Sequence, residues 1–500
     1  MPKSNILDFL EHIIEKIDNL RIKPLFLILA FSLSISLREI LEQWFFEESF
    51  SIYQFMHHFY FYSILMAGIL VISYVGRIAI QKVTKIASLG LFLIVLPPLI
   101  DRFVFGRAVP YEYILPKNLI EQFSSMFLFS PHAGKGILIE LGAILILSGI
   151  YVWIKSRSLL RSILCCLALY ILMGLAATPR IFLPIPDLSE SVFFHSRHLI
   201  YFFYLFLLTL LWGILFLYRI HPRFPSALLK EILSFRTLHA ILMVNVGLYF
   251  NPALKFQYFP DILYIFVATA LMALLWLNAV LINNVYDLAI DKITNLDRPL
   301  VRNAVRPNLY LGLSAVLSVL IPLTSLVLGV LPSIIALLSI LSALAYSAPP
   351  LRLRRYIFST IFIGWGSLLA FSYGFFCHSD LNTIFLPRNI WQIGALIFVV
   401  FSIGPLTTDM KDYEGDRDQG VRSIFSVYGL EKGLKIVAVF LGLSLLMPLI
   451  LFHTRIDTII IPNVAIVTSF LFYFQKNHNL AFIGYGIIMA YCILRILEKL

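Results

Sequence analysis

Apolar and polar residues alternate along this chain in long blocks. Runs of about 20 apolar residues recur along the whole length, for example at 199–217 and 436–452. A run of that length crosses the roughly 30 Å hydrocarbon core of a bilayer when it is helical. Helices are expected because each backbone polar group inside lipid needs an internal partner. The pattern therefore predicts an all-α polytopic membrane protein.

The runs number about fifteen, six before Arg219 and nine after it. We place them near residues 24–42, 58–76, 86–100, 136–154, 159–177, 198–218, 237–252, 262–290, 308–330, 332–347, 357–377, 389–408, 433–452, 457–475 and 478–496. A basic segment with two prolines separates the two blocks. We predict a six-helix membrane block of unassigned role over 1–218, a cytoplasmic linker over 219–235 and a nine-helix bundle over 236–500.

Composition and charge agree with this organisation. The chain is 60% hydrophobic and 13% charged, whereas a soluble domain is about half apolar and a quarter charged. Its net charge of +11 is concentrated in every second loop, at 3–23, 77–85, 155–161, 219–236, 292–306, 352–355 and 411–432. The positive-inside rule then places the N-terminus and these loops in the cytoplasm. We expect a multi-pass protein of a prokaryotic cell membrane that contacts lipid and, lacking basic–aromatic patterning, no nucleic acid.

Two acidic clusters lie at predicted cytoplasmic helix ends in the second block. In the first, Asn283, Asp287 and Asp291 are four residues apart, so they share one face of a helix. The second cluster has spacings of three and four residues, which again predicts one helical face. It consists of Asp409, Asp412 and Asp416.

Carboxylates placed in this way need compensation. Like charges one turn apart destabilise a helix, and a charge at the bilayer centre costs several kcal/mol. Mg²⁺ supplies the compensation, since it prefers oxygen ligands and is held by one or two carboxylates plus substrate phosphates. A single acidic helix end is more simply a solvated cap, but two on one predicted side favour a site that binds a diphosphate through Mg²⁺. The predicted catalytic carboxylates are Asp287, Asp291, Asp412 and Asp416, and Asp409 joins them as a predicted metal ligand.

A basic segment, YSAPPLRLRR at 346–355, lies between the two clusters on the same predicted side. Arg352 and Arg354 are suited to neutralise a diphosphate, because arginine makes bidentate contacts with phosphate. The simpler interpretation is that these residues only set the topology. Lys411 and Arg417 in the second cluster are further candidate diphosphate contacts, with solvated charge as the alternative.

Three strings together resemble the UbiA superfamily of membrane prenyltransferases over about residues 235–500. NNVYDLAIDKITNLDRPL, residues 283–300, is similar to the first family motif, in which an Arg-Pro follows the acidic residues. DMKDYEGDRDQGVRSI, residues 409–424, is similar to the second, and YSAPPLRLRR resembles the loop between them. One position departs from the pattern, because Asn284 stands where the family usually has Asp. The first metal site is then expected to rest on Asp287 and Asp291.

The resemblance implies a function. A polyprenyl diphosphate binds among the acidic clusters with Mg²⁺, its allylic C–O bond breaks, and a lipid-soluble or aromatic acceptor, such as a quinone precursor, a tetrapyrrole or a glyceryl lipid, takes the prenyl group. The predicted substrate-binding residues are Asn283, Arg298, Tyr346, Arg352, Arg354, Lys411 and Arg417.

A transporter or lipid-handling protein is the alternative class, because carboxylates in membranes also mark ion pathways. Transporters often contain internal repeats and helices broken at mid-membrane. The sequence shows neither, and its acidic clusters lie at helix ends, which suits a substrate headgroup better.

Overall fold

A computed structural model describes residues 6–46, 57–106, 134–177, 190–254, 259–378, 388–418 and 420–497. Within these ranges the chain forms helices and no strand. It divides into two compact units, Met1–Ser226 and Ala227–Leu500. We describe each unit by itself.

The first unit contains eight α-helices, α1 to α8, within the described ranges. Their bounds are Ile6–Asn19, Pro24–Phe46, His57–Gly76, Ile80–Leu89, Leu96–Phe103, Lys135–Ser156, Leu159–Ala177 and Glu190–Ile220, and a 3₁₀ turn at Gly90–Val95 joins the fourth helix to the fifth. Proline begins the second helix and follows the first residue of the fifth, positions where a missing N–H breaks no helical hydrogen bond.

The core of the first unit lies between α3, α4, α6 and α7. Val83, Val152 and Cys165 are fully buried in it. Helix α1 is amphipathic and packs on α4, and Ile14 belongs to the same core. At the end of α1, the Asp18 carboxylate accepts a hydrogen bond of 2.6 Å from Lys155 Nζ. Burial of one face and ion pairing at the end together hold this helix on the unit.

Buried charges also occur in the first unit. Arg38, only 2% exposed, donates to Glu42 on its own helix at 2.8 Å and to Glu140 on α6 at 2.9 Å. His58 Nδ1 lies 3.2 Å from Glu39 Oε1. We call these five residues the Arg38 network. Each of its carboxylates lies within ion-pairing distance of a basic nitrogen, although Glu39 Oε1 makes no hydrogen bond.

The second unit contains α9 to α21 within the described ranges, of which α9 begins just before the unit boundary. Their bounds are Phe224–Ile232, Phe235–Tyr249, Phe259–Tyr286, Leu288–Thr294, Pro307–Ser325, Val330–Ser347, Ile361–Phe375, Arg388–Ile403, Tyr413–Asp418, Ile424–Tyr428, Leu430–Leu446, Arg455–Gln475 and His478–Leu497. Four 3₁₀ turns lie at Leu326–Leu328, Leu353–Arg355, Gly404–Thr407 and Met447–Ile450.

Two glycines bring α10 and α15 into close contact. A Cβ at Gly247 would lie 2.0 Å from the Phe371 carbonyl oxygen, and one at Gly374 would lie 2.1 Å from the Val244 carbonyl oxygen. Only a residue without a side chain fits at either position, as is common where membrane helices approach closely. A separate core joins α19, α20 and α21, with Leu441 and Phe472 fully buried in it.

The described helices confirm an all-α, multi-pass membrane protein. Eleven of them are long and apolar enough to cross a membrane, or twelve if Phe224–Ile232 and Thr237–Tyr249 form one bent span. The other predicted runs fall on the shorter apolar helices Leu159–Gly174, Ile361–Phe375 and His478–Cys492. Each predicted run therefore coincides with a helix, but the number of fifteen spans is not confirmed. The domain limits and the cytoplasmic orientation stay predictions.

Candidate functional site

The ends of three helices carry the acidic and basic motifs of the second unit. Helix α11 ends at Tyr286 and leads into the first motif, while α14 ends at Ser347, before the basic loop. The second motif follows the 3₁₀ turn Gly404–Thr407. The short helices of the two acidic motifs, α12 (Leu288–Thr294) and α17 (Tyr413–Asp418), contact each other. Motifs that are over a hundred residues apart in sequence therefore meet in space.

The first motif keeps helical spacing across the junction of α11 and α12. The Asp287 N–H donates to the Asn283 carbonyl at 2.8 Å, and the Asp291 N–H donates to the Asp287 carbonyl at 2.9 Å. Asp287 is fully buried and Asp291 is 2% exposed. The Asn283 side-chain oxygen accepts a hydrogen bond of 3.3 Å from Ser347 at the end of α14. This contact joins the first motif to the start of the basic loop.

Arginines of the basic loop contact the first motif. Arg354 forms an ion pair with Asp287. Arg352 Nη2 lies 3.7 Å from Asp287 Oδ1 and donates to the Tyr286 carbonyl at 3.0 Å. The backbone at Arg352 has a positive φ of 39°, an unusual conformation for a side-chain-bearing residue. The turned backbone brings both guanidinium groups to the same carboxylate.

Arg298, in the segment after α12, contacts the other side of the first motif. It forms an ion pair with Asp291 and donates to the Asn284 side-chain oxygen at 2.8 Å. Asn295 Nδ2 donates to Asp291 Oδ1 at 3.1 Å. Asp291 is therefore held by a cation and an amide from the residues that follow it in sequence.

The second motif concentrates negative charge. Burial and repulsion from Asp412 raise the pKa of Asp416 to about 6, although Arg354 and a hydrogen bond with Ser423 oppose the rise. Burial and repulsion from the two other carboxylates raise the pKa of Asp409 well above its ordinary value. One buried oxygen of Asp412 and one of Asp416, Oδ1 in both, have no hydrogen-bond partner. These carboxylates lack sufficient positive charge around them.

Arg354 connects the two acidic motifs. Besides its ion pair with Asp287, it interacts electrostatically with Asp409 and Asp416. A second link is weaker, because the Lys411 ammonium donates to the Asn295 side chain at 3.4 Å. One guanidinium group therefore interacts with carboxylates of both motifs.

The remaining predicted substrate contacts lie at the edge of the site. Tyr346 is half-buried in the last turn of α14. Arg417 is exposed, and its contacts are with neighbours on its own helix: it lies 5.5 Å from the centre of the Tyr413 ring and 3.9 Å from Asp418. The structure therefore brings Arg352 and Arg354 to the acidic motifs but does not direct Arg417 toward them.

Sequence reasoning missed Glu231, a buried carboxylate on α9. The Tyr310 hydroxyl lies 3.5 Å from its Oε1 and donates to it, and Glu231 also interacts with Asn284 and Arg298. The local sequence contains no usable signal, because Glu231 follows Lys230 in the predicted linker and has no acidic neighbour at helical spacing. Its partners are more than fifty residues away along the chain.

The residues of the site fit a magnesium ion. Among the described residues, no three carboxylates already converge as a metal-binding group, and arginines hold Asp287 and Asp291. The two unpaired buried oxygens and the raised pKa values of the second motif nevertheless call for a cation beyond these arginines. The donors are oxygens, which Mg²⁺ prefers.

Fold and site define an all-helical, multi-pass membrane protein with facing acidic motifs at helix ends. The model of the UbiA prenyltransferase family matches residues 244–481. This match, over somewhat less than half of the chain, confirms the resemblance inferred from the three motifs.

The chain is also similar to individual proteins. The chain is 24% identical to a digeranylgeranylglyceryl phosphate synthase of Saccharolobus solfataricus over 255 residues, which cover 50% of this chain and 88% of that protein. A synthase of the same name from Sulfurisphaera tokodaii is 30% identical over 155 residues, covering 30% and 53%. A UbiA homolog from Archaeoglobus fulgidus, solved with GPP and Mg²⁺, is 17% identical, with a TM-score of 0.40 and coverage of 53% and 95%.

Proposed function

We propose that this protein transfers a polyprenyl group from an allylic polyprenyl diphosphate to an acceptor. The observation that supports the proposal is the position of Arg354, which pairs with Asp287 of the first motif and interacts with Asp409 and Asp416 of the second. Two acidic motifs that share one cation are close enough to share a metal-bound diphosphate. The match to the UbiA prenyltransferase family also supports prenyl transfer.

The five carboxylates of the two motifs are proposed as the metal ligands: Asp287, Asp291, Asp409, Asp412 and Asp416. Mg²⁺, when bound, neutralises charge on the diphosphate and makes it a better leaving group. Because Asp287 and Asp291 are already paired with arginines, those arginines must shift for the carboxylates to take a metal. Asp412 and Asp416 each present a buried oxygen without a partner.

Basic and polar residues around the motifs are proposed to hold the diphosphate. Arg352 and Arg354 reach the site on a turned loop and carry forked donors that match phosphate oxygens. As the allylic C–O bond breaks, these donors stabilise the negative charge that the pyrophosphate gains. The acceptor forms the new bond to the allylic carbon and loses a proton. The other proposed substrate contacts are Asn283, Arg298, Tyr346, Lys411 and Arg417.

For the acceptor, we propose a glyceryl phosphate lipid ahead of an aromatic or tetrapyrrole compound. The supporting observation is that curated relatives from several organisms share the name digeranylgeranylglyceryl phosphate synthase. A lipid acceptor also suits a protein embedded in the membrane that supplies it.

We further propose that the site faces the cytoplasm. The basic segments 292–306, 352–355 and 411–432 flank it, and the positive-inside rule assigns such segments to that side. Labelling of single cysteines introduced at Lys411 and at Arg455 in intact cells should give opposite accessibilities.

Purified protein incubated with labelled prenyl diphosphates and candidate acceptors tests the function. Asp287→Ala and Asp412→Ala should each reduce transfer at least about 100-fold, because each removes negative charge that binds the metal–diphosphate unit. Asp297→Asn is the matched control, since Asp297 is 91% exposed in its side chain and lies just beyond α12. Thermal unfolding of all variants checks that they fold.

Unchanged transfer in both alanine variants would refute the two-motif mechanism. Tight binding of prenyl diphosphate without turnover in the presence of every acceptor would instead favour a lipid-handling protein.

A further inference from the structure

We propose that Glu231 supplies the carboxylate that the first motif lacks at Asn284, and that it acts as a positioning residue for Arg298. The inference rests on the proposed function, because it assigns Glu231 to the same diphosphate site. It also explains how the chain tolerates its departure from the family pattern.

Glu231 is fixed by two contacts near the end of α9. Its side chain is largely buried, and the fully buried Tyr310 donates to Oε1 at 3.5 Å. Its backbone carbonyl accepts a hydrogen bond of 3.3 Å from the Thr237 hydroxyl. A buried carboxylate is unfavourable without polar partners. The Tyr310 contact holds the carboxylate, the Thr237 contact holds the backbone, and the interaction with Asn284 links Glu231 to the first motif.

Asn284 lies between a cation and this carboxylate. Its side-chain oxygen accepts from Arg298 at 2.8 Å, while its amide nitrogen is buried without a close hydrogen bond and interacts with Glu231. An amide suits this position, because it has an acceptor for the guanidinium and donors for the carboxylate. An aspartate here would place a second carboxylate against Glu231.

The pair Asn284–Glu231 thus provides the one negative charge that an aspartate at 284 would provide alone. Arg298 then interacts with two carboxylates, Asp291 by an ion pair and Glu231 at longer range. If Glu231 were neutral, Arg298 would be balanced by Asp291 alone. Asp291 would then be less available for Mg²⁺, which needs its carboxylate oxygens.

A charge-swap experiment on the purified full-length protein tests this inference. Calorimetry measures the binding of inorganic pyrophosphate in the presence of Mg²⁺. Glu231→Gln should weaken binding about tenfold, the effect of losing one charged hydrogen bond. Asn284→Asp alone should also weaken it, because two buried carboxylates then repel each other. The double variant Glu231→Gln/Asn284→Asp should return to within about threefold of the unsubstituted protein.

The control variant is Asp297→Asn, which removes an exposed carboxylate near the motif and should leave binding unchanged. Unfolding temperatures provide a second measurement, independent of ligand. Each single substitution should lower the unfolding temperature, and the double variant should regain most of the loss. If the double variant is no better than Glu231→Gln in either measurement, the inference is wrong.

The experiment also separates this inference from the proposed function. If the protein binds Mg²⁺ and pyrophosphate but transfers no prenyl group, the proposed function is wrong. The binding constants of the charge-swap variants still test the role of Glu231. A protein that does not bind pyrophosphate at all contradicts the function as well. In that case the unfolding temperature of the double variant tests the inference. Recovery supports one charge shared between residues 231 and 284, and lack of recovery contradicts it.

Discussion

Buried charge occurs in both units, but it is balanced in one and unbalanced in the other. In the Arg38 network of the first unit, each carboxylate lies within 3.2 Å of a basic nitrogen. In the second unit, the carboxylates of the second motif repel one another, and Asp412 and Asp416 each have a buried oxygen without a partner. Both regions bury carboxylates, and they differ in the basic groups that lie beside those carboxylates.

The presence of a basic group beside each buried carboxylate distinguishes structural ion pairs from binding sites in this membrane protein. In a network of paired charges, each charge is neutralised by its neighbours. Removing one member therefore leaves an uncompensated charge buried in the protein. Buried carboxylates without a nearby basic group keep a free-energy cost that a cation or substrate can relieve. We therefore expect substitutions in the Arg38 network to change stability and those in the acidic motifs to change binding.

The largest effect is expected in the first unit. Arg38→Gln leaves Glu140 and Glu42 without their cation and should reduce the free energy of unfolding by about 3–5 kcal/mol. Thermal or denaturant unfolding in detergent measures the change. Arg157→Gln is the control, since Arg157 is largely exposed in its pair with Glu11, and such pairs contribute about 0–1 kcal/mol. Equal effects of the two substitutions would remove the contrast between the regions.

The next effect concerns Arg354. Arg354→Gln removes the cation from Asp287 and should strengthen Mg²⁺ binding about tenfold, because the freed carboxylate can take the metal. Prenyl transfer should fall at the same time, since a diphosphate contact is lost. Calorimetric titration with Mg²⁺ alone measures the first change. Arg355→Gln, at an exposed neighbouring position, should change neither quantity; weaker metal binding in Arg354→Gln would contradict the proposed competition.

A smaller effect should appear in the pH dependence of stability. The pKa of Asp416 is about 6 in the folded protein, above its ordinary 3.8, so the folded state binds the proton more tightly than the unfolded chain. Without Mg²⁺, lowering the pH through 6 should therefore raise the unfolding temperature, with the gain complete near pH 4. Asp416→Asn should flatten this dependence, whereas Asp418→Asn, at an exposed position, should not.

Saturating Mg²⁺ should reverse that trend, because the metal binds the ionised carboxylate. The pH dependence of the unfolding temperature could also stay the same in Asp416→Asn and on addition of Mg²⁺. That result would show that the second motif needs no more neutralising charge than the Arg38 network.

The smallest effects are expected from the exposed basic residues. Lys411 reaches Asn295 beside the first motif, whereas Arg417 contacts only neighbours on its own helix among its described contacts. Lys411→Ala should raise the KM for prenyl diphosphate two- to threefold, about the weight of an exposed charge contact. Arg417→Ala should change it less. The opposite order would show that Arg417 turns toward the substrate on binding.

The class of fold and the location of its helices could be predicted from the sequence. Long apolar runs can cross lipid only as helices, so each predicted run coincides with a helix of the structure. The sequence also indicated the resemblance to the family, because the acidic spacings and the basic loop are local patterns. Whether a short or bent helix crosses the membrane depends on its neighbours, and for this reason the predicted number of fifteen spans is not confirmed.

Which charged side chains pair with each other depends on the tertiary structure. The pairing of Arg354 with Asp287, of Arg298 with Asn284 and of Arg38 with Glu140 joins residues that lie on different elements or far apart in the chain. No periodicity records such contacts, since they arise when packed helices bring their ends together. The same reason explains why Glu231 was missed, whereas the carboxylates of the two motifs were predicted from their spacing.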